Sequence, residues 1–171
     1  GGGGDALGAE AAGFKVIAGW DHSPEERFKF QQLFDVESLG DFRRMFWDDL
    51  PVTTLFSGGP PCPPYSRLGN KRGAADPRDV FGLLIEFLCY RARIGKPYML
   101  ISIEEVPEMR TLGPKNSEGV PLGEVQVQDA MRDLREVGYD VLISMVNSGT
   151  VGLPMTKRRM FFGGAYKPSV P

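Results

Sequence analysis

The amino-acid sequence predicts an α/β fold in which a mostly parallel sheet is flanked by helices, as in Rossmann-like proteins. Short apolar runs alternate with amphipathic stretches of helical spacing, and the segments after the apolar runs are rich in glycine, proline and charge. The 171 residues, 42% of them hydrophobic, are enough for one domain with a sizeable core. We therefore expect one α/β domain with its site at the strand ends.

The first third of the chain predicts two strands separated by a helix. A glycine run opens the chain and leads into a short Ala/Leu-rich helix. The apolar run at residues 14–18 predicts the first strand, and residues 23–33 have helical spacing. Residues 52–56 predict the second strand, which glycine and proline follow directly.

The rest of the chain predicts two long helices and three further strands. Pro77 can open a helix whose apolar residues are spaced for one buried face, and Gly95 ends it. The near-continuous apolar run at 98–103 predicts a strand covered on both sides. A loop, a helix closed by glycine and two strands follow at residues 110–123, 125–137, 141–146 and 160–162.

Composition excludes several classes of protein. No apolar run approaches the roughly 20 residues that a membrane helix needs, so we expect no membrane partner. Two cysteines and one histidine cannot form a disulfide framework or a typical structural zinc site. We therefore expect an intracellular protein with no metal site.

Two segments are basic although the net charge of the chain is −2. Residues 62–78 carry four basic side chains against Asp76 alone, and residues 150–171 contain basic side chains but no acid. An anionic partner could contact both segments if the fold brings them together, and solvated loops are an equally good explanation of the charge alone.

The most informative segment is Gly-Gly-Pro-Pro-Cys-Pro-Pro-Tyr-Ser at residues 58–66. Each proline ring fixes its own φ and restricts the residue before it, so the backbone on both sides of Cys62 is stiff. A thiol held in this way after an apolar run suggests a nucleophile. The alternative is a proline-rich turn with an incidental cysteine, because most lone cysteines are inert.

Acidic residues follow two of the predicted strands. Asp21 comes soon after the first strand, where an acid can bind ribose hydroxyls or can cap the next helix, and both roles are equally plausible. Glu104 and Glu105 end the strand at 98–103, and two adjacent carboxylates there need hydrogen bonds or a shared proton. Arg159, before the last strand, could contact a phosphate, a carbonyl oxygen or Glu104.

These motifs together resemble the C5-cytosine DNA methyltransferases, and the resemblance covers nearly the whole chain. The family's motifs occur in order: the glycine run with Ala-Gly-Phe, Gly-Asp-Phe at 40–42, Gly-Gly-Pro-Pro-Cys-x-x-x-Ser at 58–66, Glu-Glu-Val at 104–106, and Arg-Met-Phe-Phe at 159–162. The resemblance implies a Rossmann-like methyltransferase domain that uses S-adenosylmethionine and a DNA duplex whose target cytosine is flipped out.

The resemblance also implies roles for individual residues. Cys62 would attack C6 of cytosine, Glu104 would contact or protonate N3, and Arg159 would contact O2. Cofactor binding is implied for Gly1, Gly3, Gly4, Trp20, Asp21, Asp41, Phe42 and Pro61. Nucleic-acid binding is implied for Ser66, Arg67, Lys71, Arg72 and Lys157. We expect Cys89 to be a core residue, because it lies within a predicted helix among apolar side chains.

The sequence departs from the family pattern in ways that lead to further expectations. Glu105 replaces the usual asparagine of Glu-Asn-Val, and Lys157 replaces the first arginine of Gln-x-Arg-x-Arg. The first strand of the motif order and the target-recognition domain are missing, so we expect a catalytic-region fragment, incomplete at both termini and weakly stable. A second polypeptide or a missing segment would then supply recognition. The alternatives are a tRNA cytosine-5 methyltransferase and an inactive remnant acting as a binding module.

Overall fold

The computed structural model describes residues 3–61 and 79–167. From residue 55 to residue 147 the described strands and helices alternate along the chain as the apolar pattern predicts. The helices are α1 (Gly4–Ala11), α2 (Pro24–Phe34), α3 (Phe81–Arg93) and α4 (Leu122–Glu136). The strands are β1 (Leu55–Gly58), β2 (Leu100–Glu105), β3 (Tyr139–Asn147) and β4 (Arg158–Tyr166).

The four described strands form one mixed sheet with the order β1-β2-β4-β3. Strand β1 pairs with β2 in parallel, and β4 is antiparallel to both β2 and β3. Strands β1, β2 and β3 therefore share one direction, and only β4 opposes them. This confirms the predicted α/β fold with a sheet that is mostly, although not wholly, parallel.

The sheet has a buried face and a more open one. Every second residue of the central strands is buried in one hydrophobic core with apolar residues of α3 and α4. Ile101, Ile103 and Phe162 are examples. The alternate set includes Leu100 and Leu142, which are 37% and 62% exposed. The prediction that residues 98–103 form a strand covered on both sides is therefore wrong for the described part of the chain, because burial in β2 alternates with period two.

Residues 14–18 do not form the predicted first strand. Their burial alternates as in a strand, but within the described ranges the nearest pairing is a single bridge between Gly19 and Ser38. Backbone groups need a neighbouring strand to form a ladder, and an apolar run alone does not supply one. The second predicted strand begins at Leu55 instead of residue 52, because the register with β2 starts at the pair Leu55 and Leu100.

The helices follow the predicted positions with shifted ends. Ser23 is the N-cap of α2, and its hydroxyl accepts a hydrogen bond from the backbone N–H of Glu26. Helix α3 begins at Phe81, where the backbone N–H donates to the carboxylate of Asp79, so the predicted start near residue 77 is too early. None of the described helices is both long enough and apolar enough to cross a bilayer.

The last two strands are longer than predicted. Strand β4 has nine residues because it pairs on both sides, with β2 and with β3, and its pairing continues as far as Tyr166.

Helix α4 begins at Leu122, inside the segment predicted to be a loop, and ends before Gly138, whose φ of 101° only glycine adopts readily.

Candidate active site

The predicted nucleophile loop leaves the sheet at the end of β1. Gly58 is the last residue of the strand, Pro60 is buried, and Pro61 is the last residue described before the gap. The structure therefore fixes where the loop starts. The predicted site residues that lie outside the described residues are Gly1, Cys62, Ser66, Arg67, Lys71 and Arg72.

Glu104 lies beside the start of this loop. A Cβ atom built on Gly59 would be 3.2 Å from Oε2 of Glu104, so the carboxylate packs against the bare backbone of the glycine. Because β1 and β2 are parallel neighbours, their carboxyl ends meet at one edge of the sheet. Gly59, against which Glu104 packs, precedes Cys62 by three residues in the sequence.

Arg159 forms an ion pair with Glu104, in which the guanidinium Nε contacts Oε1. The antiparallel register pairs Glu104 with Phe161, so Arg159 is the diagonal neighbour two residues along β4 and lies on the same face of the sheet. The two side chains are 28% and 35% exposed, so the pair is reachable from solvent. The sequence prediction that Arg159 could meet Glu104 is confirmed.

Glu105 points to the opposite face from Glu104. Its side chain is buried, and its Oε2 accepts a hydrogen bond of 3.0 Å from the backbone N–H of Val106. Strand alternation separates the two carboxylates, because successive side chains leave a strand on opposite faces. The prediction that the two carboxylates form one pair at the mouth of the sheet is therefore wrong, and it is Glu104 that contacts Arg159.

Lys157 lies at the base of a tightly bonded loop that leads into β4. Its backbone N–H donates to Oγ of Ser148 at 2.8 Å, and its carbonyl accepts from the backbone N–H of Ser148 at 2.9 Å. The side chain of Lys157 is exposed, and Lys157 lies two residues before Arg159 in the chain. A positively charged side chain therefore lies near the pair of Glu104 and Arg159, whereas Arg158 leaves β4 on the other face.

Asp21 and Trp20 lie between the extended segment and α2. The carboxylate of Asp21 accepts a hydrogen bond of 2.8 Å from the backbone N–H of Ser23 and lies 3.3 Å from Nδ1 of His22. The cap of α2 is Ser23, so the alternative in which Asp21 itself caps the helix is wrong. The indole of Trp20 packs on the ring of Phe42 with centroids 5.9 Å apart.

Asp41 follows Gly40, whose φ of 98° is in the left-handed region. Its carboxylate accepts three hydrogen bonds from Arg43, two from the guanidinium at 2.7 and 3.1 Å and one from the backbone N–H at 3.0 Å. The guanidinium hydrogen bonds are the main reason that the pKa of Asp41 falls to about 2. Phe42 is only 8% exposed, so most of its ring belongs to the core.

An open depression of about 530 Å³ lies beside Asp41 and His22. Its volume is in the range of small-molecule sites. The sequence did not predict most of the residues that line it, because they come from two segments about twenty residues apart and no pattern in the sequence shows that these segments are in contact. The lining residues are His22, Arg27, Ser38, Leu39, Gly40, Asp41, Arg43 and Arg44.

Gly3 and Gly4 form the start of α1. Gly3 is the N-cap, with a φ of 78°, and a Cβ atom there would be 2.7 Å from the ring of Phe34. Gly4 is the first helical residue and is exposed, with no atom within 4 Å of an added Cβ. Close packing therefore requires glycine at position 3, whereas position 4 leaves room for a ligand or a side chain.

Gly59 is the neighbour of Glu104 that sequence reasoning did not single out. The signal was present, because Gly59 precedes two prolines in the most informative motif of the chain. Its role is a close approach of backbone to a carboxylate, which sequence alone does not reveal.

Residues 1–170 match the C-5 cytosine-specific DNA methylase family. Type II methyltransferase M.FnuDI of Fusobacterium nucleatum is 29% identical over 168 residues, which are 98% of this chain and 45% of that protein. M.HaeII of Haemophilus aegyptius is 28% identical over 164 residues, which are 95% of this chain and 47% of that protein. The chain thus spans about half the length of these relatives.

Solved structures share the fold at low sequence identity. A DNMT2 mutant from Spodoptera frugiperda superposes with a TM-score of 0.67 at 20% identity, over 99% of this chain and 49% of that one. The Dnmt2 methyltransferase of S. pombe superposes with a TM-score of 0.65 at 14% identity, over 99% of this chain and 48% of that one. With the family match over nearly the whole sequence, the chain belongs to the C-5 cytosine-specific DNA methylase family.

Proposed function

We propose that this chain is the catalytic region of an enzyme that transfers a methyl group from S-adenosylmethionine to C5 of cytosine in DNA. The observation that carries the proposal is the ion pair of Glu104 and Arg159 beside Gly59, at the start of the loop that contains Cys62. The family membership of the chain supports the same reaction.

The chemistry divides between three side chains. The thiolate of Cys62 adds to C6 of cytosine, which makes C5 electron-rich enough to accept a methyl group. Glu104 donates a proton to N3 as negative charge develops on the ring, and Arg159 donates a hydrogen bond to O2. The methyl group would come from S-adenosylmethionine, which would leave as S-adenosylhomocysteine. A base then removes the C5 proton, the C5–C6 double bond forms again as the thiolate of Cys62 leaves, and N3 returns its proton to Glu104.

Glu104 must hold a proton to act as a donor at N3. In the structure Arg159 contacts its Oε1, while Oε2 faces Gly59 and the start of the loop. We therefore propose that Arg159 shifts from Glu104 toward the base oxygen when cytosine enters, which leaves the Glu104 carboxyl group free to donate its proton to N3.

The depression beside Asp41 fits the adenosine part of S-adenosylmethionine. The bound sulfonium compound supplies the electrophilic methyl group. Gly40 exposes backbone there, and the carboxylate of Asp41 can accept a hydrogen bond from the exocyclic amine. Asp21, which precedes the lining residue His22, stays the proposed partner of the ribose hydroxyls. Trp20 and Phe42, whose rings stack on each other, stay proposed apolar contacts of the cofactor.

The remaining predicted contacts complete the proposed cofactor and DNA sites. Gly1, Gly3, Gly4 and Pro61 stay proposed cofactor contacts, and the start of α1 is the described part of that group. Lys157 is a proposed phosphate contact because its cationic side chain is exposed near the pair of Glu104 and Arg159. Ser66, Arg67, Lys71 and Arg72 stay proposed DNA contacts of the nucleophile loop.

Two further parts of the proposal concern the whole protein. We propose an intracellular location, where DNA and S-adenosylmethionine are both found. A target-recognition region, from further chain or a second polypeptide, would select the DNA sequence, as the greater length of the curated relatives suggests.

Trapping the covalent adduct tests the function. The product of the gene that encodes this chain is incubated with S-adenosylmethionine and duplex DNA containing 5-fluorocytosine, in which fluorine replaces the C5 proton and so blocks the elimination of Cys62. We expect a denaturation-resistant adduct that Cys62→Ser abolishes and that the control Cys89→Ser retains, because Cys89 is buried in α3. An adduct with tRNA instead of DNA supports the tRNA alternative. No adduct with either, in protein that binds S-adenosylmethionine, supports an inactive remnant.

A further inference from the structure

Arg91 is a fully buried arginine whose partners are backbone carbonyl groups. It lies on α3 with 0% of its surface exposed. Its guanidinium donates at 2.9 Å to the carbonyls of Trp47 and Leu50, at 3.4 Å to that of Pro51 and at 3.2 Å to that of Lys96. No carboxylate among the described residues forms an ion pair with it.

A buried cation of this kind is costly unless its donors are satisfied. The planar fork of arginine has five donors in fixed directions, and here they bind four carbonyl groups at once. The charge also lies 5.4 Å from the centroid of the Tyr98 ring, which adds a favourable cation–π contact. Lysine has three donors on one nitrogen and cannot bind all four carbonyls in this geometry.

The carbonyls of Trp47, Leu50 and Pro51 belong to the segment that joins the two halves of the proposed site. Residues 42–51 run from the depression beside Asp41 to the residues just before β1, which leads to Gly59. Two ring contacts with Phe87 of α3 also hold this segment, from Phe42 at 5.2 Å and from Trp47 at 5.6 Å. Arg91 donates hydrogen bonds to this segment from the interior of the domain.

We propose that Arg91 is a positioning residue: its bonds to residues 47–51 fix the wall of the cofactor site relative to the strand that carries the nucleophile loop. The proposal rests on the proposed function. Arg91 contacts neither the depression nor Glu104, so it acts through the segment. Loss of its donors removes hydrogen bonds to three carbonyls of the segment. It leaves the buried carbonyl of Leu50 without this donor, whereas that of Pro51 keeps the Tyr98 hydroxyl at 3.3 Å, and it lets residues 42–51 move away from α3.

Two substitutions and a matched control test this role. Arg91→Lys keeps the charge and Arg91→Met keeps the stem without donors. The control Tyr90→Phe, one residue away, removes only the 2.7 Å hydrogen bond from the hydroxyl to Asp48 of the same segment at the surface. Amide hydrogen exchange follows residues 42–51 and α4, and calorimetry follows binding of S-adenosylmethionine.

We expect exchange of residues 42–51 to accelerate about tenfold in Arg91→Met while α4 is unaffected, since opening is local. Binding of S-adenosylmethionine should weaken about tenfold or more, and affinity for DNA should change less than about twofold. The exchange rate and the cofactor affinity of Arg91→Lys should lie between those of the parent and of Arg91→Met. Tyr90→Phe should leave the affinity for S-adenosylmethionine within about twofold of the parent.

Two outcomes overturn the proposal. Faster exchange with unchanged cofactor affinity would make Arg91 a residue of stability only, and unchanged exchange would show that it does not hold the segment. If Arg91→Met does not fold, Arg91→Lys gives the same comparison. A parent protein that binds no S-adenosylmethionine would instead contradict the proposed function, and the exchange of residues 42–51 would still report on Arg91.

Discussion

Replacing Glu104 and Arg159 separately and together tests whether they act on one base. Their ion pair is about one-third exposed, at 28% and 35% for the two side chains, and it bridges β2 and β4 diagonally. A partly exposed ion pair contributes about 0.2–1 kcal/mol to the free energy of unfolding. The loss of stability in Glu104→Gln or Arg159→Met should therefore be small.

The effect on methyl transfer should be much larger. A donor aimed at charge that develops in the transition state is worth roughly 10²–10³-fold in kcat, or about 2.7–4 kcal/mol. If Glu104 and Arg159 contact N3 and O2 of the same cytosine, the double variant should lose less than the product of the two single losses. The cycle thus separates catalysis from packing.

The assay measures single-turnover methyl transfer to duplex DNA together with urea unfolding of each variant. Arg158→Met is the matched control, because Arg158 is the preceding residue of β4 and its side chain leaves the strand on the other face. Its kcat should stay within about twofold of the parent, since it makes no contact with the reacting base. Single variants with unchanged kcat, or losses that multiply independently, would refute the shared-base reasoning.

Two further predictions concern a glycine and a cysteine outside the site. Gly123→Ala should destabilise the protein by about 1–3 kcal/mol in urea unfolding, because the added methyl group would overlap the backbone carbonyl of Met109. Gly82→Ala, at the same second position of α3 with open space around it, should be neutral or stabilising by up to about 1 kcal/mol, and equal effects would contradict the packing argument. Burial raises the pKa of the Cys89 thiol to about 11, so it stays protonated near pH 8 and iodoacetamide should not label it in the native protein. Peptide mapping checks this: Cys89 should react only after unfolding, and native labelling as fast as a free thiol would refute its burial.

Much of the fold could be predicted from hydrophobic spacing. The period of the apolar residues located α3 and α4, and the apolar runs located all four described strands to within a few residues. The prediction of a strand at residues 14–18 was wrong, because a strand also needs a neighbouring strand to pair with, and that neighbour comes from a distant part of the chain. The ends of β1 and β4 shifted for the same reason, since pairing register and not composition decides where a ladder begins.

Which chemical groups are present, and in what order, follows from the sequence alone. The Pro-Pro-Cys motif, the two carboxylates at the end of β2 and the arginine of β4 identify the family, because the order of motifs is a property of the sequence. Only the tertiary structure decided which carboxylate belongs to the site. Strand alternation buries Glu105, and the antiparallel register with β4 brings Arg159 to Glu104. Parallel pairing with β1 then places Glu104 against Gly59, because contacts between strands depend on register, which a linear pattern does not contain.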